Sequence, residues 1–168
     1  MKMQNRSSKK HLMFLALAFL LATTPFRVGV VSTQSPQPIP HQISDTQKTR
    51  ELQCLAKNIY FESRGEPFHG KIAVAQVTLN RVQHDTNFKS TICGVVYENK
   101  QFSWTDSKPT VKDKQAWQEA LVIANAVVAG TLRIPDFNAL YFHTKQVKPV
   151  WRKTKKIVRV IGNHIFYA

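Results

Sequence analysis

The stretch SDTQKTRELQCLAKNIYFESRGEP, residues 44–67, predicts the first helix of the folded part of the chain. Ser44 and Gln47 form the S-x-x-Q version of a capping box, in which side chains satisfy free backbone N–H groups at the start of a helix. Apolar residues then recur at helical spacing, so one face should be buried and the helix should run to about Ser63. That face carries Leu52, Leu55, Ala56 and Ile59.

Glu62 lies on the same face, three residues beyond its last apolar position. A carboxylate there is unusual, because Glu is seldom buried without a partner. The negative end of the helix dipole and burial beside Tyr60 and Phe61 both disfavour ionisation, so both raise the pKa toward the range of a proton donor at neutral pH. Glu62 is therefore our candidate catalytic acid. From the pattern alone, a solvated Glu62 paired with Arg64 or Lys57 is the more ordinary interpretation.

Glu66 is the second carboxylate nearby and our second catalytic candidate. Gly65, which is expected to end the helix with a positive φ, stands between the two glutamates, so their separation cannot be read from the sequence. Pro67 suits the first turn of another helix, which Glu66 would serve equally well as a cap. Glycosidases with paired carboxylates need the two groups at a set distance, and the sequence leaves that role of Glu66 open.

Helical patterns continue downstream of these glutamates. Residues 72–82 are mostly apolar and predict a buried helix, and Ser90 is expected to cap a short helical turn over 91–97. A polar loop with aromatic residues, 98–109, separates this turn from a long helix that Gly130 ends. We therefore expect the first two thirds of the folded part to form a helical core.

The C-terminal third changes character. Residues 139–143 and 156–161 read as strands on either side of a turn region around Pro149. From Lys145 to Arg159 there are seven basic residues and no acidic one, which we interpret as a basic hairpin on the side of the helical core. The predicted class is α+β, with a small C-terminal hairpin or sheet.

The polar loop and the first strand supply candidate binding residues. Sugar rings stack on aromatic faces while amides and hydroxyls bond their edges, so the alternation of these groups in the loop suits a sugar-binding groove. Alternate positions of a strand share one face, which brings Tyr141 and His143 together. Loop aromatics more often pack inward, and a lone strand histidine is usually structural, so each residue also has an ordinary interpretation. The candidate binding residues are Tyr60, Gln101, Phe102, Ser103, Trp104, Tyr141 and His143.

The N-terminal segment predicts export. Residues 1–32 begin basic and polar, and 12–22 are 11 uninterrupted apolar or small residues, which is typical of a secretory signal and short for a membrane span. Without cleavage, residues 12–31 would remain as a signal anchor and tether the protein to the membrane. Residues 33–44 hold three prolines and predict an extended linker, so the catalytic domain is expected at 45–168, in the periplasm or cell wall.

Charge and cysteines narrow the class of protein further. The formal net charge is +14, and residues 33–168, with 19 basic and 10 acidic side chains, keep +9 of it. This surplus favours polyanionic partners, and export argues against nucleic acid among them. In an oxidising compartment Cys54 and Cys93 could form a disulfide, although the sequence does not give their separation and buried free thiols remain the alternative.

No motif predicts a metal, a cofactor or a covalent nucleophile. The histidines lack the H-E-x-x-H spacing or any compact ligand spacing, and the chain has no G-x-S-x-G segment. We therefore expect neither a metal nor a cofactor in this protein. The histidines considered are His69, His84, His143 and His164.

A series of motifs runs in one order through residues 52–168. The segments are IYFESRGEP at 59–67, LNRV at 79–82, STICGVVY at 90–97, QFSW at 101–104, YFH at 141–143 and IGNH at 161–164. In this order they resemble the SleB/CwlJ-type cell wall hydrolases. The resemblance implies a lysozyme-like α+β fold, action on peptidoglycan, and Glu62 as the catalytic glutamate of the family.

The resemblance also implies a reaction. With no assured second carboxylate, Glu62 would act first as acid and then as base, which favours a lytic transglycosylase that cleaves between N-acetylmuramic acid and N-acetylglucosamine. An N-acetylmuramoyl-L-alanine amidase and a non-catalytic wall-binding module are the alternatives. The expected partners are peptidoglycan glycan strands and other anionic envelope polymers, and the protein is expected to be a monomer.

Overall fold

The computed structural model describes residues 44–84 and 87–168. The predicted signal at 1–32 and the predicted linker, apart from its last residue Ser44, lie outside the described residues. Within the two described ranges, no helix is both long enough and apolar enough to cross a membrane.

Helices come first in the described chain and strands follow them. The helices are α1 Asp45–Ser63, α2 Phe68–Val82, α3 Ile92–Val96, α4 Trp104–Ser107 and α5 Lys114–Val128. The strands are β1 Tyr141–Thr144, β2 Ile157–Ile161 and β3 His164–Tyr167, and a 3-10 helix, Val150–Lys153, lies between β1 and β2.

Helix α1 begins and ends where the sequence predicts. Ser44 caps it by accepting a hydrogen bond from the backbone N–H of Gln47 at 3.2 Å. The predicted apolar face is buried at Leu55, Ala56 and Ile59. Because this face packs against α2 and α5, burial of apolar surface fixes the rotation of α1 about its own axis and so the direction of its last turn.

The predicted positive φ at Gly65 is wrong. In the described ranges the glycines with positive φ are Gly130 and Gly162. Arg64 keeps helical backbone angles, with φ −56°, and donates its N–H to the carbonyl of Tyr60. The chain therefore leaves α1 through a right-handed turn, and no left-handed residue is needed there.

The core is tied together by one buried polar pair as well as by apolar packing. The Asn58 amide donates to the Thr78 hydroxyl at 3.1 Å, which joins α1 to α2. The indole N–H of Trp104 donates to the Asn58 side-chain oxygen at 3.1 Å, so the single turn of α4 is attached to the same pair. The prediction of 98–109 as a loop missed this turn, whose anchor lies 46 residues away along the chain.

Helix α3 is capped by Thr91, whose hydroxyl accepts from the backbone N–H of Gly94 at 3.0 Å, and the prediction of Ser90 as the cap was one residue early. The helix is bonded covalently to α1, because Cys54 and Cys93 form a disulfide with their Cα atoms 5.2 Å apart. This decides between the two alternatives that the sequence left open for the cysteines.

Loss of this disulfide is expected to destabilise the fold by about 3 kcal/mol, since it closes a loop of 39 residues in the unfolded chain. Urea denaturation of the Cys54→Ser/Cys93→Ser protein should show a lower midpoint than the oxidised wild type. Addition of dithiothreitol should move the wild type toward the variant and leave the variant unchanged. Equal midpoints for oxidised and reduced wild type would contradict the expectation.

The sheet has three antiparallel strands in the order β1-β3-β2. The predicted strands are present, but their pairing as one hairpin is wrong, because β3 lies between them and pairs with both. Gly162, with φ +57°, makes the tight turn from β2 to β3 that the sequence analysis did not foresee. The predicted α+β class, a helical core with a small C-terminal sheet, is confirmed.

Candidate active site

The last turn of α1, the loop before α4 and the first strand meet at a pocket of about 310 Å³, called here the Glu62 pocket. Helix α2 closes it on one side and β3 contributes at its base. Five of the predicted site residues line this pocket, although they are up to 81 residues apart in the chain. They are Glu62, Gln101, Phe102, Ser103 and His143.

Glu62 is half-buried at the wall of this pocket. Burial raises the pKa of its carboxyl to about 7, and the positive charge of Arg81 opposes this rise without cancelling it. In the part of the chain that the structure describes, the ion pairs are Lys71–Glu119 and His164–Glu66, so Glu62 is not the partner of Arg64 or Lys57. Its carboxyl is therefore present in both protonation states at neutral pH.

Arg81 is the buried cation of the site, with 5% of its surface exposed. Its Nε donates to the carbonyl of Leu140 at 2.7 Å and its Nη1 donates to the side-chain oxygen of Gln101 at 3.2 Å. Burial lowers the pKa of Arg81 to about 10, so the guanidinium still carries its charge at neutral pH. Arg81 thus fixes Gln101 and the start of β1 relative to Glu62.

Two histidines form part of the base. His143 Nδ1 lies 2.8 Å from the carbonyl of Thr144, and its Nε2 lies 2.8 Å from the hydroxyl of Tyr167. Since a carbonyl only accepts, the Nδ1 of His143 carries the proton and Nε2 accepts from Tyr167. His164 is buried, and burial lowers its pKa despite the opposing effect of Glu66. Both histidines are therefore held by the fold as neutral groups at pH 7.

Glu66 lies in a different environment from Glu62. Its Oε2 accepts a hydrogen bond from the backbone N–H of Asn163 at 2.9 Å, and its Oε1 is 3.7 Å from Nδ1 of His164. Its side chain is 8% exposed and is not among the residues that line the Glu62 pocket. A Cβ at Gly162 would overlap the Glu66 carboxylate, so that close contact requires glycine. Glu66 therefore clamps the β2–β3 turn to the start of α2.

Three predicted binding residues lie outside the Glu62 pocket. Tyr60 is 1% exposed, and its hydroxyl accepts from the backbone N–H groups of Lys112 and Asp113. Trp104 lines a second pocket together with Tyr60. Tyr141 lies under the ammonium of Lys155, 3.8 Å from its ring centroid. Tyr141 and His143 both contact Trp151, as their shared strand face predicts, but only His143 reaches the pocket.

Sequence reasoning missed other residues of the Glu62 pocket, and for Arg81 a signal existed. Arg81 lies four and seven residues after Val77 and Val74 on the buried face of α2, which is the same anomaly that singled out Glu62. The remaining residues have no such signal, because tertiary contacts alone bring them to the site. The missed lining residues are Arg81, Lys100, Phe142, Thr144, Val147 and His164.

A wider depression of about 880 Å³ lies elsewhere, beside the other side of α2. The amides of Gln76 and Asn80 in its wall are occupied by backbone groups between Ile134 and Ala139. We assign the chemistry to the smaller Glu62 pocket, because it contains the carboxyl with the raised pKa. In 44–84 and 87–168, no group of three or more His, Cys, Asp or Glu side chains is arranged to hold a metal ion.

Comparison with known proteins gives consistent matches. A family model described as Cell Wall Hydrolase matches residues 65–167. Spore cortex-lytic enzymes of Oceanobacillus iheyensis and Bacillus cereus are each 35% identical to this chain over 119 residues, or 69% of its length. The chain spans 41% and 43% of the length of these two curated relatives. The family model begins three residues after Glu62, so the case for that residue rests on its geometry and on its segment.

Solved structures are also similar. The crystal structure of the catalytic domain of the Bacillus cereus SleB protein has a TM-score of 0.58 and 30% identity, and the match covers 80% of this chain and 98% of that one. The catalytic domain of the germination-specific lytic transglycosylase SleB from Bacillus anthracis has a TM-score of 0.58 and 31% identity, with coverage of 77% and 100%.

Proposed function

This chain belongs to the cell wall hydrolase family, and we propose that it is an enzyme that degrades peptidoglycan by cleaving its glycan strands, with Glu62 as the catalytic acid. The observation that carries the proposal is the half-buried carboxyl of Glu62 in a pocket, with a pKa raised to about 7. Such a carboxyl donates a proton readily at neutral pH and, once ionised, accepts one.

The reaction that fits a single such group is a lytic transglycosylation. Protonated Glu62 donates to the oxygen between N-acetylmuramic acid and N-acetylglucosamine, and the bond from that oxygen to C1 breaks. The 2-acetamido group of the substrate stabilises the oxocarbenium-like centre, as in glycosidases that use substrate assistance. Ionised Glu62 then takes the proton of the muramyl 6-hydroxyl while its oxygen bonds to C1. The product is a 1,6-anhydro sugar, and Glu62 is protonated again.

Other residues of the pocket are proposed to hold the sugar. The side-chain oxygen of Gln101 accepts from Arg81, which leaves its NH₂ group to donate to a substrate oxygen. Ser103 adds a hydroxyl to the same wall. Phe102 is 3% exposed and packs against the Arg81 guanidinium, so its contribution is to the shape of the wall. We propose Glu66 as a residue that positions the β2–β3 turn, and the Discussion tests it against a catalytic role.

Mass spectrometry of digested sacculi tests the proposed function. Fragments with 1,6-anhydro-muramyl ends are expected. Reducing muramic acid ends would replace the transglycosylase with a hydrolytic muramidase that still uses Glu62. Release of free peptide stems with intact glycan would overturn the proposal in favour of an amidase, and binding without any release would favour a non-catalytic wall-binding module.

The substrate lies outside the cytoplasm, and two further proposals follow from that location. Residues 1–32 would direct export, with cleavage or retention as a tether decided outside the described residues. The basic segment 145–159 would attract anionic envelope polymers, because its charges are mostly exposed.

A further inference from the structure

A second pocket, of about 500 Å³, lies beside the Glu62 pocket on the opposite side of a shared wall. The last turn of α1 places Glu62 in one pocket and its neighbours Phe61 and Arg64 in the other. The start of α4 does the same with Ser103 and Trp104. A group attached to a sugar in the Glu62 pocket would therefore find this second pocket next to it.

The second pocket combines aromatic surface with positive charge, and we call it the aromatic–basic pocket. Phe61 and Trp104 are stacked with ring centroids 4.8 Å apart. Arg64 and Lys112 lie at its edge and are exposed. A smaller depression of about 380 Å³ continues from the same aromatic pair and adds Lys57 and Lys108. This side of the protein is thus suited to an anion that also carries apolar surface.

The cations of the pocket are available to a ligand. Arg64 lies over the Tyr60 ring, 5.2 Å from its centroid, and neither of the ion pairs in the described ranges includes Arg64 or Lys112. The acid in the lining, Asp113, uses its carboxylate to cap α5 by accepting from the backbone N–H of Ala116 at 3.0 Å. The local charge therefore favours carboxylates.

The pocket is also held in shape by buried hydrogen bonds. The Tyr60 hydroxyl accepts from the backbone N–H groups of Lys112 and Asp113 at 3.2 and 3.0 Å, which fixes the segment before α5. The indole N–H of Trp104 is fixed by Asn58 at 3.1 Å. A preformed site of this kind loses little conformational entropy on binding.

We propose that the aromatic–basic pocket binds the carboxylate-bearing peptide stem of the muramic acid next to the cleaved bond. This inference rests on the proposed function, because it takes the sugar in the Glu62 pocket to be N-acetylmuramic acid. Its lactyl group carries the stem covalently, so the stem and the scissile bond enter adjacent pockets together. The stem carboxylates meet Arg64 and Lys112, and its apolar groups pack on Phe61 and Trp104.

Two substrates separate this role from a general loss of activity. Arg64→Ala/Lys112→Ala is expected to lower kcat/KM at least about tenfold on sacculi that carry stems, since two charge-assisted contacts are lost. On glycan strands freed of stems by an amidase, its kcat/KM should stay within about twofold of wild type. Equal losses on both substrates, or no loss on either, would overturn the proposal.

Two controls sharpen the comparison. Lys48→Ala/Arg50→Ala removes the same charge about 20 Å away at the start of α1, and it should behave as wild type on both substrates. Arg64→Lys/Lys112→Arg keeps the charge and should recover most of the preference for stems. If the double alanine variant and the Lys48/Arg50 variant lose activity equally, the effect is one of net charge on a free anionic polymer and the stem site is wrong.

Binding of the free stem peptide gives a readout that does not require cleavage. In an NMR titration, the indole N–H signal of Trp104 should shift with added peptide in wild type and stay fixed in Arg64→Ala/Lys112→Ala. A wild-type signal that does not move would contradict the stem site even in an active enzyme. If the peptide binds but the protein cleaves no glycan, the proposed function fails and the stem site survives.

Discussion

Replacement of Glu62 by Gln is expected to lower the kcat for glycan cleavage by about 10³-fold, because the variant loses both the acid and the base of the proposed reaction. The amide has nearly the shape of the carboxyl, so binding of sacculi should be retained. Release of soluble fragments from purified sacculi measures the rate, and sedimentation with sacculi measures binding. Wild-type rates in this variant would contradict the assignment of Glu62.

The same change is expected to stabilise the fold at alkaline pH. The pKa of Glu62 is about 7 in the folded protein against an ordinary value of 4.5, so ionisation is disfavoured by folding. The stability that the neutral carboxyl contributes is complete below about pH 4.5 and is lost as the pH rises through about 7. Gln stays neutral throughout, so Glu62→Gln should be more stable by about 1 to 3 kcal/mol at pH 8.5, after allowance for partial exposure.

Thermal melts at two pH values check this expectation. The Tm of Glu62→Gln should exceed that of wild type at pH 8.5 and match it near pH 4.5. Glu119→Gln is a suitable control, because that carboxylate pairs with Lys71 on the surface, away from the Glu62 pocket. A Tm difference that is independent of pH would show that the burial of Glu62 does not shift its pKa.

Glu66→Gln distinguishes a clamp from a second reacting carboxylate. Gln keeps a side-chain oxygen that accepts from the backbone N–H of Asn163, so the clamp should survive and the rate should fall only a few-fold. A loss of about 10³-fold, equal to that of Glu62→Gln, would restore Glu66 to the chemical step.

The parts of this fold that the sequence predicts are those set by local patterns. The Ser44 cap, the apolar face of α1 and the position of Glu62 on that face all follow from residues within one or two turns of each other. The family motifs extend this to the order of the elements. Local patterns also indicate that Glu62 is anomalous, although they leave a solvated glutamate as the more ordinary interpretation.

The parts that the sequence does not predict depend on contacts between distant residues. β3 is four residues long and is buried at three of them, so it lacks the alternation that marks a half-buried strand. The Glu66 clamp joins residues 97 positions apart. Trp104 was assigned to the same groove as Gln101, yet its bond to Asn58 turns it to the other side of the wall. A single loop therefore supplies two pockets.

Arg81 shows how one such contact controls the site, and Arg81→Met is expected to have the second largest effect. Met fills much of the same volume but leaves the carbonyl of Leu140 and the side-chain oxygen of Gln101 without their donor. Loss of this buried cation should lower the free energy of unfolding by about 3 to 5 kcal/mol. With Gln101 no longer held, kcat/KM at pH 7 should fall by about 10- to 100-fold.

The pH profile separates the electrostatic role of Arg81 from its structural role. Glu62 acts in its protonated form, so wild-type activity should fall as the pH rises through about 7. The charge of Arg81 holds the pKa of Glu62 down, so in Arg81→Met the fall should move to higher pH. Arg81→Lys keeps the charge and loses the fork of donors, so its rate should drop while its pH limb stays near that of wild type. If the limb moves equally in both variants, the shift comes from altered burial of Glu62, and the charge of Arg81 is not what sets its pKa.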